Sequence, residues 1–150
     1  MYFWNTQQLA EDIKGNRVGE KDKMYYYLIT LVLWNLSIYV YLIEDMPSVN
    51  YTSDVIVMIL SISVAIIGTL ITFGTNNGSK GVDYIARVLM LSIPISVKLF
   101  VFFMIFSILA GMFGEIFAIH LADWFFNALG VMAEVFIYWR INTYLKYINQ

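Results

Sequence analysis

Four long apolar runs decide what this 150-residue chain can fold into. They are Met24 to Ile43, Val55 to Phe73, Ile85 to Phe113 and Leu121 to Trp139. A helix needs about 20 apolar residues to cross a hydrocarbon core of about 30 Å, and all four runs meet that requirement. The third is long enough to tilt or to project beyond the core. Only 13% of the residues are charged, where a water-soluble domain carries roughly 25%. The chain therefore lacks the polar surface needed to cover four such runs in water. Lipid removes that need, and it admits only segments that satisfy their own backbone hydrogen bonds. The expected fold is an all-α integral membrane protein with four transmembrane helices and no separate soluble domain.

The basic residues orient these spans. Lys14, Arg17, Lys21 and Lys23 precede the first run, Lys80 and Arg87 lie between the second and third, and Arg140 and Lys146 follow the fourth. The two remaining loops carry no lysine or arginine, and Lys98, the ninth basic residue, sits inside the third run. The positive-inside rule places both termini and the middle loop in the cytoplasm. Glu44, Asp45, Asp54, Glu115 and Asp123 fall on the other side. Short loops point to a bacterial inner membrane.

Residues 1–23 form a cytoplasmic amphipathic segment in this reading. Asn5 or Thr6 can cap a short helix, Leu9 and Ile13 share one face of it, and Gly15 and Asn16 can end it. Tyr2, Phe3 and Trp4 suit the membrane interface, and the competing reading is a frayed polar tail. The first apolar run is long enough to span and has no small-residue cleavage pattern after it, so it is expected to be retained. After Arg140, the spacing of Ile141, Tyr144, Leu145 and Ile148 predicts that the fourth helix continues into the cytoplasm.

Ionisable groups within the spans carry the functional signal. Lys98 in the third run and Glu134 in the fourth both fall in the cytoplasmic half, at depths roughly 7 Å apart. A charge at the bilayer centre costs about 2.5–3.5 kcal/mol on insertion scales, so the two are candidates for an intramembrane pair, as a gate or as a structural ion pair. Lys98 can also snorkel alone to the cytoplasmic surface.

Asp123, Asn127, Gly130 and Glu134 follow i, i+4, i+7, i+11 and draw one polar stripe along an otherwise apolar helix. Lipid cannot satisfy such groups. The stripe either lines a pore between copies, where carboxylates favour cations, or packs against neighbouring helices. Pro94 removes one backbone bond in the third run and marks a possible hinge or a static kink. Small residues at Ser61, Ala65, Gly68, Thr69 and Thr72, and at Ser107, Ala110, Gly111 and Gly114, allow close helix approach.

Several chemistries are not expected. The chain has no cysteine, which excludes disulfides and thiolate sites. His120 is the only histidine, which excludes a two-histidine metal or haem site within one chain; it and Asp123 sit near the outer boundary with no hydroxyl partner at their depth for a Ser/His/Asp arrangement. Gly74 to Lys80 lacks the spacing of a phosphate-binding loop, and Asn50-Tyr51-Thr52 matches a glycosylation sequon in a very short loop. A net charge of −2 gives no sign of nucleic-acid binding.

No enzyme, cofactor or metal is expected. The leading expectation is a small homo-oligomeric channel or pore-forming protein in the lipid bilayer, of the kind a gated effector that permeabilises or depolarises the membrane would be. The alternative is a non-catalytic subunit, scaffold or sensor recruiting a cytoplasmic protein through 1–23, 74–87 or 140–150. A small proton-coupled transporter using Glu134 stands third, since the strong basic bias opposes dual topology and no inverted repeat is visible.

Overall fold

The computed structural model describes residues 2–43, 51–117 and 123–150. Within them the regular structure is entirely helical: α1 (Thr6–Lys14), α2 (Glu20–Ile43), α3 (Tyr51–Thr75), a 3-10 turn (Gly78–Lys80), α4 (Tyr84–Phe117) and α5 (Asp123–Asn149). Asn50 and His120 lie outside the described residues.

The local signals around α1 act as the sequence predicts. The Asn5 side chain accepts the Gln8 backbone N–H at 3.1 Å, which satisfies one of the open donors of a helix start. At the other end the Gly15 N–H closes on the Glu11 carbonyl at 2.9 Å, and Asn16 takes the left-handed conformation at φ 50°. Thr6, Leu9, Ala10 and Ile13 form one buried face, which packs against α4 and α5. Residues 2–14 are thus docked rather than frayed, and the apolar face of α1 is covered by protein. The Tyr2 N–H donates to the Tyr26 phenol oxygen at 2.7 Å, and the Tyr2 hydroxyl donates to the Asp12 carboxylate. Phe3 and Trp4 remain exposed.

Among the described residues the four long helices form a row rather than a closed bundle. Its order is α2, α4, α5, α3, with α1 laid across α4 and α5. The close approach of α3 and α5 has a specific cause. Gly68 lies under the Tyr138 ring, where an added Cβ would come within 2.4 Å of a ring carbon. Thr69 Oγ1 also stands 3.3 Å from the Tyr138 hydroxyl. The small residues of α3 therefore serve packing within the chain. Ser107, Ala110, Gly111 and Gly114 are positions whose side chains lie outside the description.

The core is concentrated at one end, which we call the base. Its fully enclosed apolar side chains include Leu9 and Ala10 from α1, Tyr26 from α2, Met90 and Leu91 from α4, and Ile141 and Leu145 from α5. Burial of Ile141, Leu145 and Ile148 explains why α5 continues as helix past Trp139. Polar side chains tie the base together. Arg87 Nη1 donates to Asn76 Oδ1 at 2.9 Å and to Asn149 Oδ1 at 3.0 Å. Asn149 Nδ2 donates to the Thr75 carbonyl at 2.9 Å, and Thr75 Oγ1 donates to Asn142 Oδ1 at 2.6 Å. The Lys23 ammonium meets Asp83 Oδ2 at 2.9 Å, joining α2 to the approach to α4. Gly81 is required in the connecting turn, because a Cβ there would fall 1.7 Å from the Asn76 carbonyl oxygen.

Beyond the base, the helix shafts are apolar and uncovered. Two stretches, Val55–Thr75 and Tyr84–Phe106, are long and apolar enough to cross a membrane. Only 11% and 28% of their most apolar windows are buried. A helix of this hydropathy in the core of a water-soluble protein would be mostly covered, so the exposure fits lipid as the outer solvent.

Candidate functional site

The polar stripe of α5 shares its helical face with the core. Gly130 and Glu134 continue in register through Ile137, Ile141, Leu145 and Ile148, at steps of three and four residues. The last three of these are buried in the base. The same face is open higher up: Gly130 is exposed, and a Cβ added there would meet no atom within 4 Å. Glu134 is half-buried. Asp123 and Asn127 occupy the next stripe positions in the α5 register, and their side chains lie outside the description. Among the described residues, the buried side chains of α4 and α5 are Met90–Leu91 and Ile93–Ile95 on the one, and Ile141, Leu145 and Ile148 on the other. The open space between α4 and α5 above them is lined on α5 by Phe136 and Arg140, on a different face of the helix from the stripe.

A Cβ added at Gly130 would enter open space among the described residues. In α3 the opposite holds, since Gly68 sits directly against Tyr138.

Lys98 lines this cavity between α4 and α5, separate from the stripe, none of whose described residues enters it. Its ammonium donates to Thr6 Oγ1 at 3.0 Å, across a sequence separation of 92 residues. The ion pairs Arg17–Asp12 and Lys23–Asp83 are present among the described residues, and none joins Lys98 to Glu134. The vertical geometry explains the choice of partner. Lys98 and Arg140 line one cavity, whereas Glu134 stands six residues, or about 9 Å, farther up α5. Docking of α1 brings the Thr6 hydroxyl to the ammonium instead. Sequence reasoning missed Thr6, because only the tertiary docking of α1 makes it a neighbour of Lys98.

The cavity has a volume of about 300 Å³ and is lined by Thr6, Ile95, Lys98, Leu99, Phe102, Phe136 and Arg140. Arg140 donates to the Tyr144 hydroxyl at 2.9 Å and lies over the Tyr144 and Trp139 rings, 5.0 and 5.9 Å from their centroids. The sequence singled out Arg140 only as a marker of topology. Pro94 is fully buried at the level of α1. A bend there would have to disturb the densest part of the molecule.

Electrostatics outside the spans reinforce the base. The hydrogen bond from Tyr2 and the nearby Arg17 hold the Asp12 carboxyl below its ordinary value. The same bond to Asp12 pushes the Tyr2 phenol up. Lys23 lowers the Asp83 carboxyl by hydrogen bond and charge. No group of three or more metal-ligating side chains is placed to hold an ion among the described residues. Comparison with known proteins gives no matching family model, no matching curated protein and no matching solved structure.

Proposed function

We propose that this chain is a four-span protein of a bacterial inner membrane with both termini in the cytoplasm. Copies of it assemble into a small cation-conducting pore lined by the α5 stripe, acting as a gated effector that depolarises the membrane. The observation that carries this reading is the exposed Gly130 and half-buried Glu134 on one face of α5, on a helix whose lower part buries that same face. A polar strip cannot be left to hydrocarbon. The chain's own helices do not fill the space beside Gly130. A ring of copies would turn the stripe toward a shared axis, where carboxylates such as Glu134 would favour cations.

The proposed placement in the bilayer follows from length. α4 has 34 residues, or about 51 Å at 1.5 Å per residue. The hydrocarbon layer accounts for about 30 Å of that. The remaining length projects beyond it. α2 and α5, at 24 and 27 residues, are also long enough to serve as spans.

The test is conductance of the purified protein in planar bilayers. Wild type is expected to pass cations in preference to anions, and Glu134→Gln to lose most of that preference. Bilayers that stay silent under every voltage, pH and lipid condition would remove the reading.

A second reading has its own support. The segments 1–23, 74–87 and 140–150 converge in the base through α1 packing and the Arg87–Asn149 bond. Gln7, Gln8, Glu11 and Lys14 on α1 face outward. A scaffold that recruits a cytoplasmic protein would present such a surface. Co-purification of a soluble partner that is lost when residues 1–18 are deleted would favour it.

A further inference from the structure

The cavity between α4 and α5 has a mixed lining. Lys98, Arg140 and Thr6 stand among the apolar Ile95, Leu99, Phe102 and Phe136. No carboxylate is among its described lining residues. The Lys98 ammonium has Thr6 Oγ1 as its hydrogen-bond partner, and the Arg140 guanidinium has Tyr144 Oη. An ammonium carries three donors and a guanidinium five, so both have donors to spare. Thr6 is the first residue of α1, and the partial positive charge of that helix end has the same sign. Like charges gathered beside an apolar wall oppose one another, and an anion seated between them relieves the repulsion. The mouth is apolar, with Phe102 61% and Phe136 40% exposed.

We propose that this cavity binds the phosphate of an anionic phospholipid, with an acyl chain lying along Phe102 and Phe136. Phosphate chemistry suits the pair of cations, because guanidinium and ammonium both donate to its oxygens. The apolar half of the lining selects an amphiphile over a free anion. Basic pockets between helices on the cytoplasmic side of a membrane are suited to such headgroups. The site rests on the membrane reading above and is independent of the pore.

The test uses the full chain, purified in detergent and stripped of lipid. Phosphatidylglycerol, phosphatidylcholine and inorganic phosphate are each titrated in, with Tm and native mass spectrometry as readouts. Phosphatidylglycerol is expected to bind roughly tenfold tighter than phosphatidylcholine and to raise Tm. The preference should fall below about twofold in Lys98→Gln/Arg140→Gln, and persist in Lys146→Gln, whose side chain is exposed. Equal binding of the two lipids overturns the site, and so does a preference that survives in a folded double variant. Inorganic phosphate matching phosphatidylglycerol at equal concentration overturns the lipid assignment in favour of a free anion. The wild-type comparison decides even where the double variant does not fold. Lipid preference in a protein that never conducts would remove the pore and keep this site.

Discussion

In the base, Leu9, Leu91 and Leu145 are wholly enclosed, and Arg87 and Asn76 are hydrogen-bonded across three helices. A few turns farther along the same α4 and α5, Phe100, Ile108 and Met132 stand open, and a Cβ added at Gly130 would meet no atom within 4 Å. The two regions differ in what surrounds them. The base must exclude water from its apolar residues, so it draws on five helices and a polar clamp. The shafts need no such cover if lipid surrounds them, because hydrocarbon is as apolar as leucine. Polar residues on the shafts then become the anomaly, and Gly130 and Glu134 of α5 continue one such register among the described residues.

The contrast can be broken most directly by truncating side chains in each region. Leu145→Ala in the base should cost about 2–5 kcal/mol, whereas Leu70→Ala on the α3 shaft, at 65% exposure, should stay within about 0.5 kcal/mol. Denaturant unfolding in detergent micelles measures both, and similar losses would erase the distinction. Glycines sharpen it further. Gly68→Ala drives a methyl into the Tyr138 ring and should cost about 1–3 kcal/mol. Gly130→Ala has open space, so the fold of a single chain should tolerate it.

Arg87→Gln should cost about 1–3 kcal/mol, because the buried Asn76 amide loses its partner. The same substitution should leave the conductance of folded protein unchanged. The smallest effect is a pH dependence at the α2–α4 approach. Lys23 depresses the folded pKa of Asp83. Its contribution is then complete above the unfolded carboxyl value of about 3.9, and fades as pH falls through the lower folded value. Thermal melts of wild type and Asp83→Asn should converge below that window and separate above it.

The apolar runs were legible because membrane length is a one-dimensional property of the chain. The boundaries of α1 were legible for a similar reason, since Asn5, Gly15 and Asn16 act on backbone groups only a few residues away. The continuation of α5 was visible in the spacing of Ile141, Leu145 and Ile148. The docking of α1 was not visible. Its apolar face is equally suited to lipid or to protein, and the Thr6–Lys98 bond joins residues 92 apart. Periodicity alone placed Lys98 and Glu134 in one half of the membrane, but the register of α4 against α5 follows from base packing. Gly130 illustrates the same limit: spacing puts it on the stripe, and only the tertiary structure shows the open space beside it.

The central claim is that the α5 stripe faces water within the membrane-spanning part of the assembly. The chain has no cysteine, so single cysteines can be introduced without a background. In native membranes, Gly130→Cys should react with a membrane-impermeant, water-soluble thiol reagent, while Leu70→Cys, on the lipid-facing side of α3, should not. A Gly130→Cys that resists the aqueous reagent from both sides, yet reacts after the membrane is dissolved, would contradict the account.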